Sequence, residues 1–211
     1  MPARSPRKSD IRVKSARSSA ARKRPAHAPL TVSRKELLAG DDDRQFRELV
    51  HAFFAFQARH EAIRDGHAAF VGLAGIQYTI LIAIGHLEAE GDVTVKTVCD
   101  HLRVSSAFIA VETAKLVERG LIVKDRDPTD ARRTLLRTTP DGYALLAKLA
   151  PVQRPVNDIE FGGITRKDFI FLHGIMNRLI GNCDAALAMQ RLLEKPASRG
   201  LTDRLDETVA A

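Results

Sequence analysis

Between Leu121 and Thr138 the chain leaves the three- and four-residue apolar spacing that marks most of its length, and this interruption limits what it can fold into. Leu121, Ile122 and Val123 read as a short strand. Arg126 to Ala131 gathers the turn formers Asp127, Pro128 and Asp130, and Arg132 to Thr138 alternates as a returning strand. A β-hairpin of about eighteen residues set among helices predicts a mainly α chain with one two-stranded sheet.

The helices can be placed from their caps and stripes. Asp41 to Asp43 suit a helix N-terminus, and Phe46, Leu49, Val50, Phe53, Phe54, Phe56 and Ile63 continue an amphipathic first helix that is expected to end near Gly66. A second helix fits Gln77 to Leu87. Thr94 caps a short third helix through Leu102, and Ser105 caps a fourth that runs to about Arg119 and stops at Gly120. After Pro140 comes a helix carrying Tyr143, Leu145, Leu146 and Leu149, with Pro151 and Pro155 expected to bend or end it. The last helix, 166–193, repeats Phe169, Leu172, Ile175, Leu179 and Cys183 at helical intervals, a stripe able to pack on a partner helix.

Charge is unevenly spread. The chain of 211 residues carries a formal +7, but residues 1–35 hold eleven Lys and Arg against Asp10 alone, so the remainder is net negative. With Pro2, Pro6, Pro25 and Pro29 among small residues, 1–35 is expected to be a disordered basic tail, as is 195–211. A block of this kind binds nucleic acid through counterion release, solubilises the chain, or by composition resembles an organelle transit peptide. The apolar run Ala68 to Gly85 is broken by Gln77 and by a turn at Gly72 and Gly75, so no membrane span is expected. Cys99 and Cys183 have neither disulfide nor zinc spacing, which points to a reducing cytoplasm. His60 and Glu61 begin a near miss to HExxH in which Arg64 takes the place of the second imidazole; no P-loop, GxGxxG or GxSxG occurs. No enzyme activity, catalytic residue, metal or cofactor is expected.

Two short helices joined by a tight turn and followed by a hairpin with a basic tip are the parts of a winged helix-turn-helix. Residues 94–139 resemble the DNA-binding core of the MarR family of bacterial transcription regulators, with KDRDPTDARR as the best marker. The family's wing carries an Asp-x-Arg pair, a hydrophobic strand and a Leu-Thr-x-x-Gly helix start. Here these are Asp130, Arg132, Leu135 and Thr139-Pro140-Asp141-Gly142, with Thr138 in place of the usual Leu. The likeness extends over 41–193.

The resemblance implies a homodimer paired through helices 41–66 and 166–193, reading a palindromic operator in double-stranded DNA, and a repressor released by a small ligand, with aromatic and acyl compounds as the classes it suggests. For DNA contact it points to Ser105, Ser106, Ala110 and Lys115 on the recognition helix and to Arg126, Asp130, Arg132 and Arg133 on the wing, with Asp130 orienting Arg132. Ala110 and Val111 stand where polar base readers are frequent, so base reading is expected through thymine methyls and DNA shape. Arg103 occupies the turn where Gly is frequent. For the effector, Phe56, His60, Arg64, His67 and Tyr78 provide an apolar wall with a few polar groups. Cys99 lies on an apolar face and reads as core rather than as a redox sensor. The alternative is a dimeric scaffold or adaptor with this fold and only nonspecific, tail-driven DNA binding.

Overall fold

The computed structural model describes residues 29–130 and 132–194. Its elements are α1 (Arg44–Phe70), α2 (Gly75–Leu87), α3 (Val95–Leu102), α4 (Ser106–Glu118), β1 (Ile122–Arg126), β2 (Thr134–Thr138), α5 (Pro140–Glu160) and α6 (Arg166–Leu193). The chain divides at Val50 into two units. Within the first, a 3-10 turn at Lys35–Leu37 precedes α1, and the buried Asp43 carboxylate accepts from the Thr31 backbone N–H at 2.7 Å, from the Thr31 hydroxyl and from Arg47. The expected disordered tail therefore ends too late in the sequence reading: 29–35 are described, and Thr31 is held, because a carboxylate removed from water needs its donors. Residues 1–28 and 195–211, the rest of the expected tails, lie outside the described residues.

The second unit contains the hydrophobic core. Ile80, Leu81 and Ile84 of α2 meet Val98 of α3, Ile109 and Leu116 of α4, Ile122 and Leu136 of the hairpin, and Leu149 of α5. The hairpin is antiparallel, with Ile122 opposite Thr138 and Arg126 opposite Thr134. Its outer edge is extended by Leu136 N–H donating to Val93 C=O at 2.8 Å, which seats β2 beside the cap of α3.

The caps are the expected ones. The Thr94 hydroxyl accepts from Thr97 N–H while the Thr97 hydroxyl accepts from Thr94 N–H, and the Ser105 hydroxyl accepts from Phe108 N–H. Between them Arg103 takes a left-handed φ of 57° to make the turn. At the far end of α4, Gly120 with φ 69° turns the chain into β1. Thr139 then stitches the start of α5 to this corner, donating from its hydroxyl to Gly120 C=O and from its N–H to Leu121 C=O.

Two boundaries differ from the sequence reading. Helix α1 runs through Gly66 to Phe70, because Ala68 in the next turn is fully buried and the break comes at Gly72. Helix α5 passes through both Pro151 and Pro155. An internal proline removes a hydrogen bond and costs about 3 kcal/mol. Here Leu149 is buried just before Pro151, and between the two prolines Val152 packs on the core while Gln153 donates to the Tyr78 hydroxyl. These contacts offset the missing bonds. Among the described residues no single helix is long and apolar enough to cross a membrane.

Gly142 has a steric reason to be glycine. A Cβ there would stand 2.3 Å from the Leu121 carbonyl oxygen, a backbone atom that Thr139 has already pinned. Gly142→Ala is expected to destabilise by about 1–3 kcal/mol and to lower Tm by roughly 2–12 °C in a thermal melt.

Candidate nucleic-acid interface

Helix α4 has two unlike faces. Ile109, Glu112, Thr113 and Leu116 are buried, while Ser106, Ala107, Ala110, Val111 and Ala114 are exposed. The exposed face is small and almost uncharged, with Val111 55% and Phe108 42% accessible beside it. Ser105 and Ser106 stand at its N-terminus, and the Ser105 hydroxyl, although it accepts from Phe108, keeps its own proton to donate.

The wing is organised by Asp127, which sequence reasoning treated only as a turn former. Its carboxylate, almost fully buried, accepts from the Thr129 hydroxyl at 2.6 Å, from the Thr129 N–H at 2.8 Å and from the Asp130 N–H at 3.2 Å, and lies 2.8 Å from Arg133 Nη1. The Asp-Pro-Thr-Asp spacing, an aspartate two residues ahead of a Thr N–H, was the available signal. These donors, the Thr129 hydroxyl first, hold the Asp127 carboxyl below its ordinary value despite burial.

The expected Asp130 to Arg132 contact is present in a different form. Asp130 Oδ1 accepts from the Arg132 backbone N–H at 3.0 Å, not from its guanidinium, because the tight turn brings the amide rather than the side chain to the carboxylate. Arg133 is the wing arginine that is fixed, by Asp127 and by Asp92 at 3.6 Å. Lys96 pairs with Asp100, Arg103 with Asp184 of α6, Lys115 with Glu112, Arg137 with Asp125, and Arg119 donates to Gly72 C=O. Among the described residues, the cations of 94–138 whose side chains have no such partner are Lys124, Arg126 and Arg132, all on the hairpin.

The expected effector residues form a row with two separate sets of contacts, and between them Arg64 Nη2 lies 3.2 Å from both Glu61 Oε1 and Asp65 Oδ1. Phe56, His60, Arg64 and His67 lie along one side of α1; Phe56 stacks on His60 at 5.6 Å and meets Phe161 edge-on, and His67 meets Tyr78 edge-on at 6.4 Å. Glu160 and Gln153, both missed from sequence, complete it: His60 Nδ1 is 2.8 Å from Glu160 Oε1, and Gln153 bonds the Tyr78 hydroxyl. Arg64 Nε, His67 Nε2 and Glu160 Oε2 are buried without a hydrogen-bond partner among the described residues. A separate apolar recess of about 730 Å³, lined by Arg166, Lys167, Asp168, Ile170 and Phe171, includes none of these residues. Helix α6 buries no side chain, leaving Phe169, Leu172, Met176 and Leu179 exposed. Cys99 packs against the core, and burial pushes its thiol up.

Comparison with known proteins gives a consistent answer. The MarR family model matches residues 71–133. The HTH-type transcriptional repressor NicR of Pseudomonas putida is 25% identical over 128 residues, 61% of this chain and 79% of that protein. Bordetella bronchiseptica BpsR, whose DNA binding is regulated by 6-hydroxynicotinic acid, superposes with a TM-score of 0.51 at 23% identity, covering 63% of this chain and 98% of its own. A MarR variant from E. coli solved with operator DNA superposes at 0.53 and 15% identity, covering 66% and 98%. The fold is the MarR-family winged helix.

Since the folded-state pKa of Asp127 is depressed, its contribution to the wing is present above the ordinary carboxylate pKa of about 4 and is lost as pH falls through the lower folded value. The Thr129 and Asp130 amides are expected to resist hydrogen exchange at neutral pH and to lose that protection on this acid side. Asp127→Ala is expected to remove it at every pH.

Proposed function

We propose that this protein, which matches the MarR family over residues 71–133, a family of transcription regulators and not of enzymes, is a homodimeric, sequence-specific repressor that a small ligand releases from DNA. The observation that carries the DNA reading is the pairing of two surfaces: an exposed, nearly uncharged face on α4 beside a hairpin bearing Arg126 and Arg132 without internal partners. In this reading α4 enters the major groove, with Ser105 and Ser106 at the phosphates and Ala110 against base edges. Arg126 and Arg132 reach the minor groove or the backbone beside it, where negative potential is strongest, and Asp130 and Arg133 set the shape of the wing.

Dimerisation is supported by α6, which exposes Phe169, Leu172 and Leu179 and is not covered there by the described residues. A two-fold pair would set two α4 helices about 34 Å apart, one DNA turn, and call for a palindromic site.

The ligand reading rests on the α1, α2 and α5 group. An anion on an aromatic ring suits it: Arg64 Nε–H, although Arg64 Nη2 is held by Glu61 and Asp65, and His67 as its Nε2–H tautomer beside the Tyr78 ring, are unspent donors. The regulation of BpsR by 6-hydroxynicotinic acid makes that compound the first probe.

Binding to the chain's own upstream DNA, against scrambled DNA over a salt series, tests the proposal. Preference is expected to persist in a chain starting at Pro29. Arg132→Ala should weaken it by about 1–3 kcal/mol, roughly 5- to 150-fold. Leu179→Asp should sediment as a monomer and lose the preference. Binding that is indifferent to sequence, or that vanishes with residues 1–28, would instead favour the scaffold or adaptor with tail-driven DNA binding. With the specific complex in hand, 6-hydroxynicotinic acid is expected to release it, and Arg64→Gln to shift that release to at least about tenfold higher concentration. Release unchanged by Arg64→Gln would move the ligand elsewhere.

A further inference from the structure

The buried stripe of α4 contains a residue that packing alone does not explain. Ile109, Thr113 and Leu116 are apolar or bond locally, yet Glu112 between them is only 6% exposed. A carboxylate in that position carries a desolvation penalty that an apolar side chain of similar volume avoids. Both of its oxygens are engaged: Oε1 accepts from Lys115 Nζ at 2.7 Å and Oε2 from Gln77 Nε2 at 3.1 Å. Gln77 in turn accepts from the Ala74 N–H with its own carbonyl at 3.3 Å, so the amide is oriented by the first turn of α2.

Lys115 is the single Lys or Arg within α4, and Arg119, its C-cap, is turned to Gly72 C=O at 2.6 Å. Every cation of the helix and its cap therefore has its charged end bound within the protein. Since phosphate attraction is the sequence-independent part of DNA affinity, a free lysine on α4 would strengthen binding to any duplex, matched or not.

We propose that Glu112 is a specificity-determining positioning residue: it sequesters the Lys115 ammonium and locks α4 onto Gln77, so that the helix meets DNA through uncharged groups while the wing supplies the phosphate contacts. This rests on the DNA-binding reading above. The i, i+3 spacing with Lys on the C-terminal side favours the pair, and the Lys115 hydrogen bond, ahead of that from Gln77, holds the Glu112 carboxyl below its ordinary value despite burial. Glu112 is thus held as a carboxylate at neutral pH, and its charge offsets that of the Lys115 ammonium. Freed from Glu112, the half-exposed Lys115 chain reaches solvent from the same helix that carries Ala110, Val111 and Ala114.

The test is the salt dependence of full-length protein binding to scrambled duplex and to its own upstream DNA. Glu112→Gln keeps the shape and the Gln77 neighbour but releases the lysine. It is expected to steepen the log-affinity against log-salt slope by about 1.8, one additional phosphate from each half of the dimer, to raise scrambled-DNA affinity severalfold, and to lower the preference ratio. Glu118→Gln, which removes an acid from the same helix without freeing a lysine, is expected to leave the slope unchanged. Glu112→Gln combined with Lys115→Ala should return it to the wild-type value. A slope unmoved by Glu112→Gln, one moved equally by Glu118→Gln, or a double variant that stays steep overturns the proposal. Should Glu112→Gln not fold, NMR titration of Glu112 in the wild-type protein decides: a carboxyl pKa below the ordinary Glu value supports sequestration, and an ordinary or raised value ends it. Wild-type protein that binds neither duplex at the lowest salt sinks the DNA-binding reading itself, an outcome distinct from an unchanged slope.

Discussion

Helix α4 has to bury one stripe and expose the next within thirteen residues, and the surroundings follow from that demand. Ile109 and Leu116, one helical repeat apart, are removed from water by α2, α3 and the hairpin together, so none of those elements can shift without opening the core. The corner beyond α4 is fastened in the same sense. Gly120 takes the left-handed turn, Thr139 bonds back to it, and Gly142 lets the first turn of α5 lie directly on Leu121 C=O. The exposed stripe is held in place by what the buried one packs against.

Electrostatics are arranged on that frame with little left to chance. Among the described residues, six cations of 94–138 are spent on carboxylates or a carbonyl within the fold, and the three without such a partner sit on the hairpin. Local charge therefore says little about reach. Lys115 and Arg132 are both basic residues in the winged-helix segment, but one faces a buried carboxylate and the other extends from a turn whose backbone is already satisfied by Asp130 and Asp127. On the proposed reading this separates the two parts of recognition, with phosphate attraction on the wing and base contact on the helix.

The group around His60, Arg64 and His67 contrasts with this economy. Among the described residues it holds three of the five buried side-chain polar atoms that lack a hydrogen-bond partner, Asp127 Oδ2 and Thr138 Oγ1 being the others, whereas Glu112 and Asp43 are each met by several donors. Unpaired buried polar atoms are costly, and on the proposed reading their concentration here suits a bound group. They share α1 with the helix turn that leads through Gly72 to α2, and Arg119 of α4 donates to Gly72 itself.

The sequence by itself determined most of the secondary structure. Thr94, Ser105, Pro140 and Gly120 announce their helix ends because capping is local chemistry, and α6 runs over the residues its apolar stripe marked. The break in periodicity located the hairpin for the same reason. Local rules failed at Pro151 and Pro155, where the contacts of Leu149, Val152 and Gln153 outweigh a proline's local cost, and at Gly66, where a buried Ala68 carries α1 onward. Residue type at 112, 127, 153 and 160 was visible, but not role, because the partners of Glu112, Gln153 and Glu160 stand 35, 75 and 100 positions away. Which charges are free and which are spent is a property of distances between elements, and only the packed tertiary structure sets those.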